Sequence, residues 1–323
     1  MIHFCTYFDA NYLVRGLALY RSLQAHCDPF VLWVLCFDDT CYDALVRLDR
    51  PDLRPVSLAQ FEQGDAELLR AKTGRSRVEY YFTCTPSWPL YLMEAHPDID
   101  MVTYVDADFL FYSDARPVFA EMGSRSIGII GHRFPPHLKR REVYGVYNVG
   151  LLPIRNDAVG RSCLEWWRER CLEWCFDRVE PGRFADQKYL DEFPHRFTGV
   201  AVIEQAGVGL APWNWMQYEI LLDDAGGTVD GEPLIAYHFH GLRLYGDRLY
   251  DVRLARYRRM PHALQRRLYD SYIGSLRAAR DWAGDAVPAE TLGGAPIRAG
   301  HGLHRLAVSA ARGDLALYRS AES

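Results

Sequence analysis

The chain has 323 residues, 49% of them hydrophobic and 24% charged, with 17 prolines and 25 glycines. These fractions belong to a folded chain long enough to bury a full core, and they exclude a disordered or collagen-like one. Net charge is −5 but unevenly spread. Arg243 to Arg280 sets ten arginines against Asp247, Asp251 and Asp270, a balance of +7 that leaves −12 elsewhere. That asymmetry argues against bulk nucleic-acid binding and for one basic region facing an anionic partner.

No apolar run approaches the roughly 20 residues of a membrane span. The N-terminal stretch lacks a basic n-region and a cleavage site, so the expected location is cytoplasmic. The eight cysteines, at 5, 27, 36, 41, 84, 163, 171 and 175, form no Cys-x-x-Cys pair and read as free thiols of a reducing compartment.

In chain order, Ile2–Tyr7 reads as a short apolar strand. Asn11–His26 follows as an amphipathic helix and Phe30–Phe37 as a second, buried strand. Thr40 is the expected N-cap of a helix through Leu48, and Pro86-Ser87 opens another, from Trp88 to about His96. Met101–Val105 is again an apolar strand, and Ser126–Gly131 and Val146–Ile154 look like two more. Ser162–Phe176 carries Leu164, Trp167, Cys171, Trp174 and Cys175 at helical spacing. Alternating strands and helices predict an α/β fold, a sheet flanked by helices. The expected division is a main α/β domain over 1–245 and an Arg-rich helical extension over 246–323. The extension has a Gly/Pro/Ala stretch from Ala283 to Gly302 and a last helix from His304 to Tyr318.

Asp106-Ala107-Asp108 closes the Met101–Val105 strand. Side chains two apart on an extended chain point the same way, and ligands of open α/β sheets bind beyond the carboxyl ends of strands. Two carboxylates there can hold a divalent cation, which can neutralise a diphosphate. Leu234-Ile-Ala-Tyr-His238-Phe-His240-Gly241 ends a strand in two histidines and a glycine. Imidazole added to two carboxylates makes a mixed N/O site that suits manganese better than calcium. Asp186-Gln187 sets a carboxylate beside an amide, fit either to orient a sugar and move a proton or simply to cap a helix. Asn148, Trp213 and Asn214 are candidate sugar contacts, although tryptophan is equally a core residue.

Together these segments resemble the GT-A fold nucleotide-sugar glycosyltransferases, most closely the retaining family 8 type, over residues 1 to about 245. Thr6-Tyr7-Phe8-Asp9-Ala10-Asn11 resembles that family's opening strand and turn, which implies Thr6, Tyr7, Asp9 and Asn11 around the nucleotide. Asp106 and Asp108 match the metal motif, and Asn148 falls in a segment similar to the Asn-x-Gly strand. Asp186 and Gln187 match the pair that lines the donor sugar. His238-x-x-Gly241 implies His238 as third metal ligand and Gly241 at the diphosphate. Arg75-Ser-Arg77-Val-Glu79-Tyr80 and Ala211-Pro-Trp213-Asn214 look like a bacterial branch found among polysaccharide-assembly proteins, which makes Arg77 a candidate nucleotide or phosphate contact. Where family 8 has Lys-Pro-Trp after its His-x-x-Gly, this chain reads Leu242-Arg243-Leu244, with Arg243 the candidate phosphate partner at a different spacing.

The resemblance implies a manganese- or magnesium-dependent hexosyltransferase. Its donor is a nucleotide-diphosphate-sugar, uridine-linked by likeness, and its acceptor a saccharide or lipid-linked polysaccharide. Retention is implied; with inversion, Asp186 is the general base. The Arg-rich extension is a candidate peripheral contact with the inner face of the cell membrane. The rivals are a sugar-phosphate nucleotidyltransferase, disfavoured by the lack of glycine in Phe8-Asp-Ala-Asn-Tyr, and a non-catalytic carbohydrate-binding protein of the same fold.

Overall fold

The computed structural model describes residues 1–223, 226–245, 248–287 and 301–318, apart from the side chains of 301–303 and 305. Most of the expected Gly/Pro/Ala stretch, from residue 288 on, lies outside the described residues. The main sheet is built from β1 (Ile2–Phe8), β2 (Phe30–Cys36), β3 (Leu53–Ser57) and β4 (Met101–Val105), followed after a short β5 (Phe109–Phe111) by β6 (Ile127–Gly131), β7 (Tyr147–Asn148), β8 (Leu151–Arg155) and β9 (Val200–Ile203). Its order is β3-β2-β1-β4-β8-β6-β7, with β9 also on β6. The first four strands are parallel, and β8 runs antiparallel to both β4 and β6. This is an α/β sheet flanked by helices, as the alternating pattern predicts, and its Rossmann-like mixed order is the one the family resemblance implies.

The period of two decides which side chain enters which layer. Along β1, Phe4 and Phe8 enter one core with β2's Phe30, Leu32 and Val34, while Cys5 enters the other with Leu35, Val102 and Tyr104. The helix Leu13–His26 covers the first face, and the helices Ser87–Ala95 and Ala158–Glu173 cover the second. All eight cysteines are buried and free, packed as small hydrophobes. Beyond Tyr245, the helix His262–Ala283 lays Leu268, Tyr269, Tyr272, Ile273 and Leu276 into the first core, so this segment is docked on the body.

Four local expectations change. The cap of the helix Asp39–Leu48 is Asp38, not Thr40. Asp38 is extended and its Oδ1 accepts from the Cys41 amide at 2.8 Å, an interaction of about 1 kcal/mol. The expected strand Val146–Ile154 is broken at Val149-Gly150, where the Asn148 side chain accepts from the Gly150 amide at 3.0 Å. The Trp-rich helix begins four residues earlier than expected, at Ala158, because Asp157 caps it through the Gly160 amide. The last helix, His301–Arg312, ends at Gly313 (φ +74°), which releases Leu315–Leu317 into a strand beside Leu249–Asp251.

Candidate active site

Pairing across a long sequence gap builds the site. β4 stops at Val105, and the Phe109 amide donates to the Asp106 carbonyl at 3.1 Å, turning the chain back into β5. β5 then pairs antiparallel with the strand Ala236–His238, with Phe109 opposite His238. The Phe239 amide donates to the Asp108 carbonyl at 2.9 Å, and the His238 amide to the Leu210 carbonyl at 2.8 Å. His238 Nε2 thereby stands 3.0 Å from Asp108 Oδ1 and 3.6 Å from Asp106 Oδ2. Ligand atoms of Asp108, His238 and His240 lie within 4.8 Å of one another.

The residues fit a cation. Neighbouring ligands of an octahedral ion bound at about 2.1 Å stand about 3 Å apart, which is the spacing of His238 and Asp108. Two imidazoles and a carboxylate, with Asp106 alongside, make a mixed N/O donor set that a divalent ion such as manganese accepts more readily than calcium does. Electrostatics point the same way. Burial pushes the Asp108 carboxyl up, but His238, His240 and Arg15 outweigh it and hold it at about 2. Asp106 goes up instead, because its burial and the Asp108 charge are only partly offset by His238. Burial works against a charged His238, yet the two aspartates raise its pKa. This knot of charge is one a metal ion would rearrange. His240 stands at the rim, and desolvation, then the His238 charge, lowers it to about 4, leaving a neutral donor at neutral pH.

Aromatic rings lock this geometry. His238 stacks on Phe109 (4.5 Å) and meets Trp213 edge-on (5.5 Å), and Trp213 also meets His240 (5.5 Å). Gly150 makes room behind His238. A Cβ there would lie 2.5 Å from Asn148 Oδ1, 2.8 Å from Phe109 and 3.1 Å from His238.

A second group gathers beyond the carboxyl ends of β1 and β2. Asp9 caps the turn at Ala10–Tyr12 by accepting from the Asn11 amide at 2.9 Å, and its Oδ2 accepts from the Tyr81 hydroxyl at 3.1 Å. Arg77 pairs with Asp9 (2.9 Å) and Asp38 (3.4 Å), and its Nε donates to the Tyr81 hydroxyl. Tyr81 stacks on Phe37 at 3.8 Å, making a flat aromatic wall beside Tyr7. Tyr7 shares a 3.0 Å hydrogen bond with Thr85, and the Tyr104 hydroxyl donates to Asp106 at 2.7 Å.

Asp186 closes the third side. Ala185 before it sits at φ +46°, a conformation uncommon for a residue with a Cβ, and the Asp186 carbonyl accepts from Trp167 Nε1 at 2.8 Å. Burial first, then the Asp106 charge, lift its carboxyl to about 7, against the opposing pull of Thr85 and of backbone amides. Gln187 accepts from Asn148 Nδ2 at 3.1 Å and donates to the Tyr144 carbonyl at 3.0 Å, and Asn148 also lies 3.3 Å from His132 Nε2.

The expected residues therefore divide. Asp106, Asp108 and His238 meet; Asp186, Gln187 and Asn148 form a chained flank; Tyr7, Asp9, Asn11 and Arg77 gather at the ends of β1 and β2. Gly241 follows His240 at φ +78° with open space around it, so backbone can approach a ligand there. Three of the expected residues are placed differently. Thr6 is fully buried within the sheet, and its carbonyl accepts from Trp88 Nε1 at 3.0 Å. Asn214 is fully buried with its amide consumed, Nδ2 donating to the His132 and Gly209 carbonyls and Oδ1 accepting from the Ala211 amide. It holds the loop and offers nothing to a sugar. Arg243 lines a different cavity, described below. Trp213, 5% exposed, serves as the wall behind the histidines.

Sequence reasoning also passed over three contributors: His240 as a donor, Arg15 beside Asp108, and the Phe37–Tyr81 platform. His240 had a visible signal in its two-residue spacing from His238. The other two depend on how α-helices dock over the sheet.

A mixed sheet with an acidic turn at the end of a central strand and histidines brought against it is the GT-A glycosyltransferase fold. The crystal structure of the galactosyltransferase LgtC in complex with donor and acceptor sugar analogues superposes with a TM-score of 0.51 at 17% identity, covering 74% of this chain and 87% of that one. The chain belongs to the family of two Bacillus subtilis (strain 168) proteins described as uncharacterized, YfnF and YfnD. It is 32% identical to YfnF over 249 residues, covering 75% of this chain and 82% of YfnF. Identity to YfnD is 30% over 289 residues, covering 88% and 92%. No family model matches the chain.

Proposed function

We propose that this protein is a metal-dependent glycosyltransferase that moves a hexosyl group from a nucleotide-diphosphate-sugar, uridine-linked by resemblance, to a saccharide or lipid-linked acceptor. The observation that carries the reading is the convergence of Asp108, His238 and His240 on one point, with Asp106 alongside, at the ligand-binding end of a GT-A sheet. LgtC, of the same fold, is a galactosyltransferase described with donor and acceptor sugar analogues. A manganese or magnesium ion held by Asp108, His238 and His240, with Asp106 at its edge, would supply Lewis-acid charge to the departing diphosphate.

The chain's own residues do the rest. The Phe37–Tyr81 wall and Tyr7 offer a face for a planar base, while Asp9 and Asn11 offer hydrogen-bonding groups to a ribose. Arg15 adds fixed positive charge next to Asp108, and Gly241 leaves the backbone open to approach by phosphate oxygens. Arg77 fixes Asp9 and Tyr81 in place, so it orients the nucleotide end. Asn148 and Gln187 form one hydrogen-bonded unit that sets the height of the sugar beside Asp186. With retention, the Asp186 carboxylate and Gln187 stabilise the positive charge that develops on the sugar. A pKa near 7 also suits a general base, which favours as second reading an inverting transfer in which Asp186 takes the acceptor proton.

No described helix is long and apolar enough to cross a membrane. Work on a lipid-linked acceptor at the inner membrane face would draw on the basic surface after Tyr245. The test of the donor reading is a thermal-shift screen of nucleotide-sugars with manganese or EDTA, beside Asp108→Ala. A ligand at 100 times its Kd adds about 2.7 kcal/mol. Manganese-dependent stabilisation by one nucleotide-sugar, lost in the variant, supports the reading. Stabilisation by none of them refutes it.

A further inference from the structure

A second cavity, of about 330 Å³, opens between the hairpin of Arg243–Tyr245 and Leu249–Asp251, the turn Leu254–Arg256 and the helix His301–Arg312. Arg243, Arg253, Arg256 and Arg312 line it against two carboxylates, Asp251 and Asp314, a formal excess of +2. The carboxylates are bound into the frame. Asp251 accepts from the Ser309 hydroxyl at 2.8 Å and the Arg253 amide at 3.0 Å, and Asp314 accepts from the Ala255 amide at 2.9 Å. Among the described residues, none of the four guanidinium groups makes an ion pair within 4.0 Å or donates a side-chain hydrogen bond. Arg253 is moreover held at φ +54°, a conformation uncommon outside glycine, with its amide tied to Asp251.

Four arginines share this cavity with only two carboxylates, so a net positive charge is left there for an anion to offset. Guanidinium groups favour phosphate in particular, through paired and charge-assisted hydrogen bonds. The cavity is lined by none of Asp106, Asp108 and His238, so it is not the cation cluster. It nevertheless adjoins it: Arg243 follows His240 by three residues, and Tyr257, next to Arg256, meets Trp213 (6.3 Å), the ring that also packs against His240 (5.5 Å).

We propose that this arginine-lined cavity binds a phosphate group belonging to a second substrate, so that the acceptor is a phosphate-bearing molecule seated beside the donor site. The acceptor role rests on the glycosyltransferase reading, whereas binding of phosphate in the cavity does not. The same chemistry can come from a water-soluble phosphorylated compound or from a lipid phosphate at a membrane surface.

The experiment uses the full chain in EDTA and compares wild type, Arg253→Gln/Arg312→Gln, Arg253→Lys/Arg312→Lys and Asp108→Ala. Pyrophosphate binding is measured by calorimetry. Vesicle capture is measured with phosphatidylcholine alone and with added phosphatidic acid. Expected are pyrophosphate binding by wild type and by Asp108→Ala, a loss of at least about tenfold in the glutamine double variant, and partial retention in the lysine variant. Capture only by phosphatidic acid vesicles, lost in the glutamine variant alone, assigns the phosphate to a lipid. Equal loss in the soluble arm assigns it to a free ligand. Wild-type affinity in the glutamine variant, or no phosphate binding in either arm, overturns the proposal. Should phosphate bind here while no nucleotide-sugar binds with manganese, the cavity stands and the transferase reading falls.

Discussion

Replacing Asp186 by Asn tests the electrostatics of the site more sharply than a deletion would, because shape and hydrogen-bonding reach are nearly kept. The carboxyl is 4% exposed, and burial with the neighbouring Asp106 lifts it from 3.8 to about 7. A carboxyl raised on folding favours the native state in its protonated form. Stability therefore falls as pH rises from about 4 through about 7, then levels off with the full penalty in place. The gap between 3.8 and about 7, at 1.36 kcal/mol per pH unit, sets a ceiling of roughly 4 kcal/mol. Asn carries no charge, so Asp186→Asn is expected to match wild type near pH 4 and to exceed it in stability at pH 8. At roughly 2 °C per kcal/mol for a chain of this size, Tm at pH 8 rises by several degrees. Calorimetric melts of both proteins from pH 4.5 to 8.5 measure the divergence. Parallel melting curves across that range, or a variant less stable than wild type at pH 8, would show that the carboxylate is well paired rather than desolvated, and the argument would fail.

Gly150→Ala drives a methyl into Asn148, Phe109 and His238 at 2.5–3.1 Å. It should cost about 1–3 kcal/mol of stability and weaken manganese binding, followed by electron paramagnetic resonance titration, whereas unchanged metal affinity would mean that His238 is not held by this packing. Asp38→Ala removes the cap of the helix Asp39–Leu48 and the acceptor of the Ala10 amide, so urea unfolding should report a loss of about 1–2 kcal/mol. Arg77→Ala should lower stability by less than about 1 kcal/mol, because the side chain is 57% exposed, yet weaken nucleotide binding by disordering Tyr81 and Asp9. Equal nucleotide affinity in calorimetry would remove its orienting role. The eight thiols, all buried, should resist Ellman's reagent in the native protein and all react after denaturation.

Much of the frame was legible in the sequence because β1, β2 and β4 are near-continuous apolar runs of the kind buried parallel strands require, and Met101–Val105 begins and ends where its residues say it should. The acidic pair and the His238 segment were each visible as motifs at strand ends. Their meeting was not derivable from periodicity, because it rests on three-residue strands pairing across more than 120 positions, and only the family resemblance implied it. Asn214 illustrates the opposite failure. A polar residue between two tryptophans reads as a sugar contact, but its three hydrogen-bonding partners are backbone groups that only the fold brings within reach. Asp38 outcompetes Thr40 because its carboxylate serves the Cys41 amide, the Ala10 amide and Arg77 at once, two of them distant in sequence. The departure from Lys-Pro-Trp proved informative, since Arg243 faces a separate cavity rather than the cation cluster.

The most direct measurement is release of nucleoside diphosphate from a panel of nucleotide-sugars, with acceptor extracts supplied, in manganese and in EDTA. Wild type should release diphosphate from one donor in manganese and not in EDTA, and Asp108→Ala and His238→Ala should lose at least about a hundredfold in rate, about 2.7 kcal/mol of transition-state stabilisation. Release that persists in EDTA, or that survives both substitutions, would contradict a reaction centred on the Asp108–His238–His240 cluster.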